Sequence, residues 1–257
     1  MRANGAPGLL TSGGGAGGSI HVTSGSPVTG GGPVFADGGD AGTSQVGGGG
    51  GGLILIEAPE IASTLQARGG APDGGAGMFG TDDGQNIHLV AENGGQAGPA
   101  APAFGAQLGA HNVTANSAGV NMSQTGFLLD VFAGATVSFE GVDGTFKVLS
   151  STVSTLVLDL PEGVAHTDIG VATFGGTRMF RHLDIPATLE VGAGARLLMT
   201  DRISLDGLVV KNGGLISHDA PIFKQAEPSL DVVVTGACDI QAGGVISATA
   251  KGYGGED

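Results

Sequence analysis

The chain has 257 residues, 52 of them glycine, with 40% hydrophobic and 13% charged residues and a mean hydropathy of +0.23. So much apolar content with so little charge excludes an ordinary disordered chain, and the lack of a G-X-Y period excludes collagen. A formal net charge of −14, from 24 acidic against 10 basic residues, speaks against a nucleic-acid partner, whose phosphates this field repels.

The first residues, Met1-Arg2-Ala3-Asn4-Gly5, read neither as a signal peptide nor as a membrane span. If the protein is secreted, the chain is therefore expected to be a fragment or a processed form. Residues 1–126 form a glycine-rich β-repeat region. Ile20-His-Val22, Ile54-Leu-Ile56 and Ile87-His-Leu89 each follow a glycine-containing stretch, with spacings of 34 (20 to 54) and 33 (54 to 87). Alternating apolar residues of this kind predict strands. Between them lie Phe35-Ala-Asp-Gly38-Gly39 and Gln66-Ala-Arg-Gly69-Gly70, and Arg2-Ala-Asn-Gly5 looks like a truncated copy. Because the glycine tracts, such as Gly47 to Gly52, recur in phase with the strands, they are expected to be ordered. Extended glycine segments lie side by side because no Cβ keeps them apart.

Residues 127–257 carry an 11-residue unit four times, starting at Leu129, Leu189, Leu208 and Cys238. Positions one, three and nine are apolar in each, and position six is glycine: Gly134, Gly194, Gly213 and Gly243. Strand, glycine corner at positive φ, strand is how a β-solenoid turns. The gap between the first two units predicts an insertion at about 141–186. Its runs Thr145–Leu149 and Thr155–Asp159 predict a β-hairpin, ended by Pro161-Glu-Gly163. The expected fold is all-β: a parallel β-solenoid with glycine-rich loops and a hairpin insertion. No helical periodicity competes with it.

His182 to Gly255, with Ala193-Gly-Ala195, Lys211-Asn-Gly-Gly214 and Ile246-Ser-Ala-Thr-Ala-Lys-Gly-Tyr253, resembles the glycine-rich β-repeat regions of very large bacterial secreted or surface proteins. The N-terminal repeats and Phe146–Asp159 look like the same class. The resemblance implies a parallel β-helix, an extracellular or cell-surface location in a bacterium, and adhesive or structural roles. It implies no defined ligand.

No catalytic, cofactor-binding or metal-binding residue is assigned from the sequence. The histidines His21, His88, His111, His166, His182 and His218 show no metal-ligand spacing. His21 and His88 occupy matching repeat positions and read as outward strand residues. Ca²⁺ is the best-suited metal, because Asp37, Asp40, Asp73, Asp82 and Asp83 sit among glycines, yet no calcium-loop motif is present. Asp beside Gly is also ordinary turn chemistry. The densest charged cluster is Thr200-Asp201-Arg202, with Asp206 nearby and Arg178 and Arg181 upstream. It reads as solvated strand edge rather than as the convergent carboxylates of a lyase or glycosidase. Aromatics at 4%, with no Trp and one Tyr, leave little to stack on a sugar. The G-x-G-x-x-G matches open no helix, and the sequons Asn112-Val-Thr114 and Asn121-Met-Ser123 read as coincidence. Cys238, the single cysteine, rules out an internal disulfide and reads as a small buried apolar residue.

The sequence therefore points to a non-catalytic structural or adhesive segment of an extracellular bacterial surface protein or filament. Its expected partners are further copies of itself or adjacent repeats, and surface glycans. The rival readings are a carbohydrate-binding or carbohydrate-degrading protein and a segment of a phage or virion fibre.

Overall fold

In the computed structural model the described residues are 1–96, 98, 101–102, 110–122, 132–152, 154–199, 201–218 and 230–248. Leu129–Val131 of the first 11-residue unit, Ser123, Thr200 and the Gly252–Gly255 run lie outside them. The described residues are all-β, without helix.

The N-terminal strands are β1 (Ser19–Thr23), β2 (Val34–Phe35), β3 (Leu53–Glu57), β4 (Leu65–Gln66), β5 (Gly77–Asp82) and β6 (Ile87–Glu92). β1 lies parallel to β3 with Ile20 opposite Ile54, and β2 lies parallel to β4. The 34-residue spacing is thus a true strand register. Inward Ile20, Ile54 and Ile56 join Val34, Ala36 and Ala67 in one apolar cluster. The neighbour of Ile54 on the other side is Phe79 of β5, not Ile87. β5 and β6 instead form an antiparallel hairpin. Its turn is made by Asp83, whose Oδ1 accepts the amides of Gln85 and Asn86, and by Gly84 at φ +82°. These bonds hold the Asp83 carboxyl below its ordinary range, the Asn86 amide first and the Gln85 amide second. The same turn fixes the reversal of the chain.

Beside these strands the glycine tracts pack backbone against backbone. Gly15 donates to Ala6, Gly39 to Gly15, Gly49 to Gly39 and Gly70 to Gly49, each at 2.8–2.9 Å. A Cβ on Gly14, Gly38, Gly49 or Gly70 would overlap a neighbouring carbonyl group. Glycine is needed there because another backbone occupies the place of a side chain.

Next come β7 (Ala101–Pro102), β8 (Ala110–Asn116), β9 (Gly119–Met122), β10 (Thr136–Phe139), β11 (Phe146–Ser151), β12 (Thr155–Leu158) and the 15-residue β13 (Thr177–Val191). β11 and β12 are a hairpin, with Val148 opposite Leu158. This hairpin belongs to something larger. Antiparallel ladders run from β8 to β9, β12, β11, β10, β13 and back to β8. Six strands therefore close a ring with no free edge. Phe132, Val137, Val148, Leu156 and Met179 fill its interior, all essentially without solvent exposure. Side chains rather than a channel fill a barrel this small.

β13 belongs to two assemblies. Thr177–His182 is a stave of the ring, and Ala187–Val191 pairs parallel with β6. The register with β15 (Arg202–Val210) slips between Ile185 and Thr188, around Pro186, which has no N–H for the ladder. The remaining strands are β14 (Arg196–Leu198), β16 (Leu215–Ser217), β17 (Asp231–Val234), β18 (Cys238–Ile240) and β19 (Val245–Ser247). The last three 11-residue units stack in register: Leu189, Leu208 and Cys238 are neighbours, as are Leu197, Ile216 and Ile246. Their inward residues, with Met199, Ile203 and Leu205, form the third apolar cluster.

The position-six glycines all have positive φ, between 79° and 84°. Each is the third residue of a turn closed by a hydrogen bond such as Ala195 N–H to the Gly192 carbonyl, where type II geometry demands it.

The expected parallel β-solenoid is not what forms. One 13-stranded sheet mixes parallel and antiparallel ladders. Two features break the regularity. The Asp83–Asn86 turn reverses the chain between β5 and β6. The first 11-residue unit sends its second strand, β10, into the antiparallel ring instead of onto the other copies. Its local pattern matches theirs, but the strands available beside it run the other way.

Candidate functional site

Three of the charged residues singled out in the sequence, Arg181, Asp201 and Arg202, meet where the ring joins the parallel strands. Arg181 and His182 come from β13, Arg202 opens β15, and Asp201 precedes it. Ser138 of β10 reaches the same place, since β10 pairs with β13 across Thr136 and His182.

Arg181 Nε donates to Asp201 Oδ2 at 3.0 Å, and Nη2 donates to the same oxygen. The Asp201 side chain is fully buried and that of Arg181 is 12% exposed. A charge taken from water at this depth is tolerated only when paired, so each holds the other in place. Beside them His182 Nε2 lies 2.7 Å from Ser138 Oγ, and Arg202 Nη1 donates to that oxygen at 3.1 Å. The Arg202 guanidinium lies 3.9 Å from the centre of the Phe180 ring. Its Nε stands 2.7 Å from Asp231 Oδ2, an ion pair whose N–H is not aimed along a hydrogen bond. Burial and then the neighbouring Arg202 charge push the His182 pKa down, only partly opposed by Asp231. The neutral imidazole is therefore favoured, and it shares one hydrogen bond with Ser138 Oγ through Nε2.

A serine hydroxyl held by a neutral imidazole is half of a nucleophilic apparatus. The rest of the arrangement points elsewhere. Ser138 is only 5% exposed, and Asp231, the carboxylate whose charge acts on His182, is engaged with Arg202. The chemistry suited to these groups is cross-linking of β10, β13, β15 and β17. Ser138 and Asp231 are residues that the sequence did not single out, and His182 was considered there only as a metal ligand.

Other candidate residues lie apart from this junction. Arg178 faces Glu140 at 3.9 Å, and Asp206 accepts from Thr235 at 3.5 Å. His21 lies 2.9 Å from Glu57, and that hydrogen bond, more than the one from Thr23, holds the Glu57 carboxyl below its ordinary range. His88 stands 4.0 Å from Glu190. Both imidazoles are exposed, but β3 and β5 separate their strands, so they form no ladder. The Leu158 amide donates to His166 Nε2 at 3.0 Å, and His218 is buried. The backbone of His111 belongs to β8.

The five aspartates considered for calcium are dispersed. Asp37 Oδ1 accepts the Arg68 amide and Oδ2 accepts Gln66 Nε2, while Asp40 Oδ1 accepts the Ala71 amide. These two line a groove with Asn4, Gln66 and Arg68. Asp82 accepts the Gly84 amide and lines a second groove with Asp83 and Glu57. Asp73 adopts a left-handed turn conformation at φ +62°. Among the described residues no three His, Cys, Asp or Glu side chains gather as ligands. Cys238, expected to be buried, is exposed because its strand lies at the edge of the stack.

Asn93 holds the glycine region to the C-terminal strands. It is fully buried, its Oδ1 accepts the Gly69 amide at 2.8 Å, and its Nδ2 donates to the Gly74 and Gln96 carbonyls. Its own amide donates to Ala193 at 3.3 Å. No family model, curated protein or solved structure matches this chain.

Proposed function

We propose that this chain is a non-catalytic structural segment of an extracellular bacterial surface protein or filament, serving as a rigid spacer or adhesive element. The observation that supports this reading is the interlocked glycine backbone between Gly5 and Gly75. Its hydrogen bonds run crosswise between segments far apart in sequence, and its packing uses main chain where a binding protein would place side chains. The polar junction around Ser138 and Asp201 adds to it, because those groups bind one another.

Two experiments test the reading. An antibody raised against the chain should label the surface of intact cells of the source organism. Label confined to permeabilised cells would overturn the surface assignment. Acidic glycans incubated with the protein, with and without Ca²⁺, should remain uncleaved. Turnover abolished by Ser138→Ala would replace the structural reading with an enzymatic one.

A further inference from the structure

One connection of the ring crosses its end. β12 and β13 stand on opposite sides of the six strands, and residues 159–176 join them. Leu160, Ile169 and Val171 of this strap pack onto the ring interior. Its far end is tied to β8, where the Ala115 amide donates to the Ala172 carbonyl at 3.1 Å.

An imidazole holds the near end. The Asp159 amide donates to the Lys147 carbonyl of β11, so by alternation the Leu158 amide points away from β11, toward β9. The ladder to β9 runs out at Leu156, opposite Val120. His166 takes the place of the missing strand partner: its Nε2 accepts the Leu158 N–H at 3.0 Å. A backbone N–H only donates, so Nε2 carries no proton and the ring hydrogen sits on Nδ1. The turn that carries His166 is fixed by Asp168, whose Oδ2 accepts the Ala165 amide at 3.0 Å and whose amide donates to the Ala165 carbonyl at 2.9 Å. The charged groups on the strap are Asp159, Glu162 and Asp168; those on the elements it packs against are Lys147, Glu140 and Asp143, and β9 has none. Among the described residues none of these carboxylates is paired with the imidazole, so no ion pair holds the strap once the ring is charged.

We propose that His166 is an acid-sensitive latch, and that residues 159–170 lift from the end of the ring when Nε2 is protonated. An imidazolium has two N–H groups and no acceptor, so it meets the Leu158 N–H donor to donor. Leu158 is 3% exposed, and its amide stays buried and unpaired until the strap moves away. Histidine is the side chain that changes charge in mildly acidic water. Release takes up one proton, so acidification by one pH unit raises the opening equilibrium by up to about tenfold. Leu160 and Ile169 then come off the ring interior as apolar surface that neutral pH keeps covered. The latch goes beyond the structural reading and stands without it.

Amide hydrogen exchange of the full chain, followed by NMR and expressed as protection relative to an unstructured amide at the same pH, tests this. The Leu158 amide should lose about tenfold or more of its protection between pH 7.5 and 5.5. The Val148 amide, which donates to the Ala135 carbonyl inside the ring, should keep its own. In His166→Gln, whose side chain does not titrate, the pH dependence at Leu158 should vanish. Equal protection of Leu158 at the two pH values in the parent would overturn the latch. So would a loss in His166→Gln as large as in the parent, or a loss shared by Val148, which would mean that acid loosens the ring as a whole.

Discussion

Asn93 accepts the Gly69 amide through its Oδ1 at 2.8 Å, joining the end of β6 to the glycine segment that follows β4. The side chain is fully buried, and its amide also donates to Gly74 and Gln96. Asn93→Leu, close in size, leaves three backbone groups without their partner. Each unsatisfied buried group costs about 1–3 kcal/mol, so a total near 3 kcal/mol or more is expected. Urea unfolding followed by circular dichroism checks this. A midpoint equal to that of the parent would show that water replaces the bonds.

The Arg181–Asp201 pair makes a separate prediction. Asp201→Ala removes the buried carboxylate that faces the Arg181 guanidinium and should destabilise by about 3–5 kcal/mol. The double variant Arg181→Met/Asp201→Leu removes both charges and should recover most of that loss. Chemical denaturation of the parent, the single variant and the double variant completes the comparison. A double variant as unstable as Asp201→Ala would mean that the pair contributes more than mutual neutralisation.

His182 sets a pH dependence. Its folded pKa lies below its unfolded value, so the unfolded chain binds the extra proton more readily. Its contribution is present above the unfolded pKa of about 6.5 and is lost as pH falls through the folded value. The melting temperature should therefore drop as pH is lowered from about 7.5 to 5.5, and less steeply in His182→Gln. Equal slopes in the two proteins would remove the junction as the origin of the effect. Glu57, whose pKa is also lowered, titrates well below this window.

Much of the local structure was legible because it depends on residues close in sequence. The glycine at position six of each 11-residue unit announced a turn at positive φ, and Gly134, Gly194, Gly213 and Gly243 all have it. The glycine tracts recurring in phase with strands announced close backbone packing, and Gly49 against Gly15 shows it. Strand partners were less legible. Ile87 follows glycine much as Ile20 and Ile54 do, yet the Asp83 turn sends its strand back antiparallel. Thr136–Phe139 closes a ring because β11 and β13 flank it, which its own residues cannot encode. The charged cluster was visible at Arg181, Asp201 and Arg202. Ser138 was not, since its links to His182 and Arg202 span 44 and 64 residues.

The glycine tracts form a close-packed backbone core rather than flexible linkers. Gly47 and Gly49 test it within a single tract. A Cβ on Gly49 would overlap the Gly15 carbonyl group, whereas a Cβ on Gly47 meets no atom within 4 Å. Thermal melts of Gly49→Ala and Gly47→Ala decide between the two views. Packing predicts a loss of about 3 kcal/mol or more for Gly49→Ala and a change within about 1 kcal/mol for Gly47→Ala. Equal melting of the two variants would contradict it, because a flexible linker accepts either methyl group.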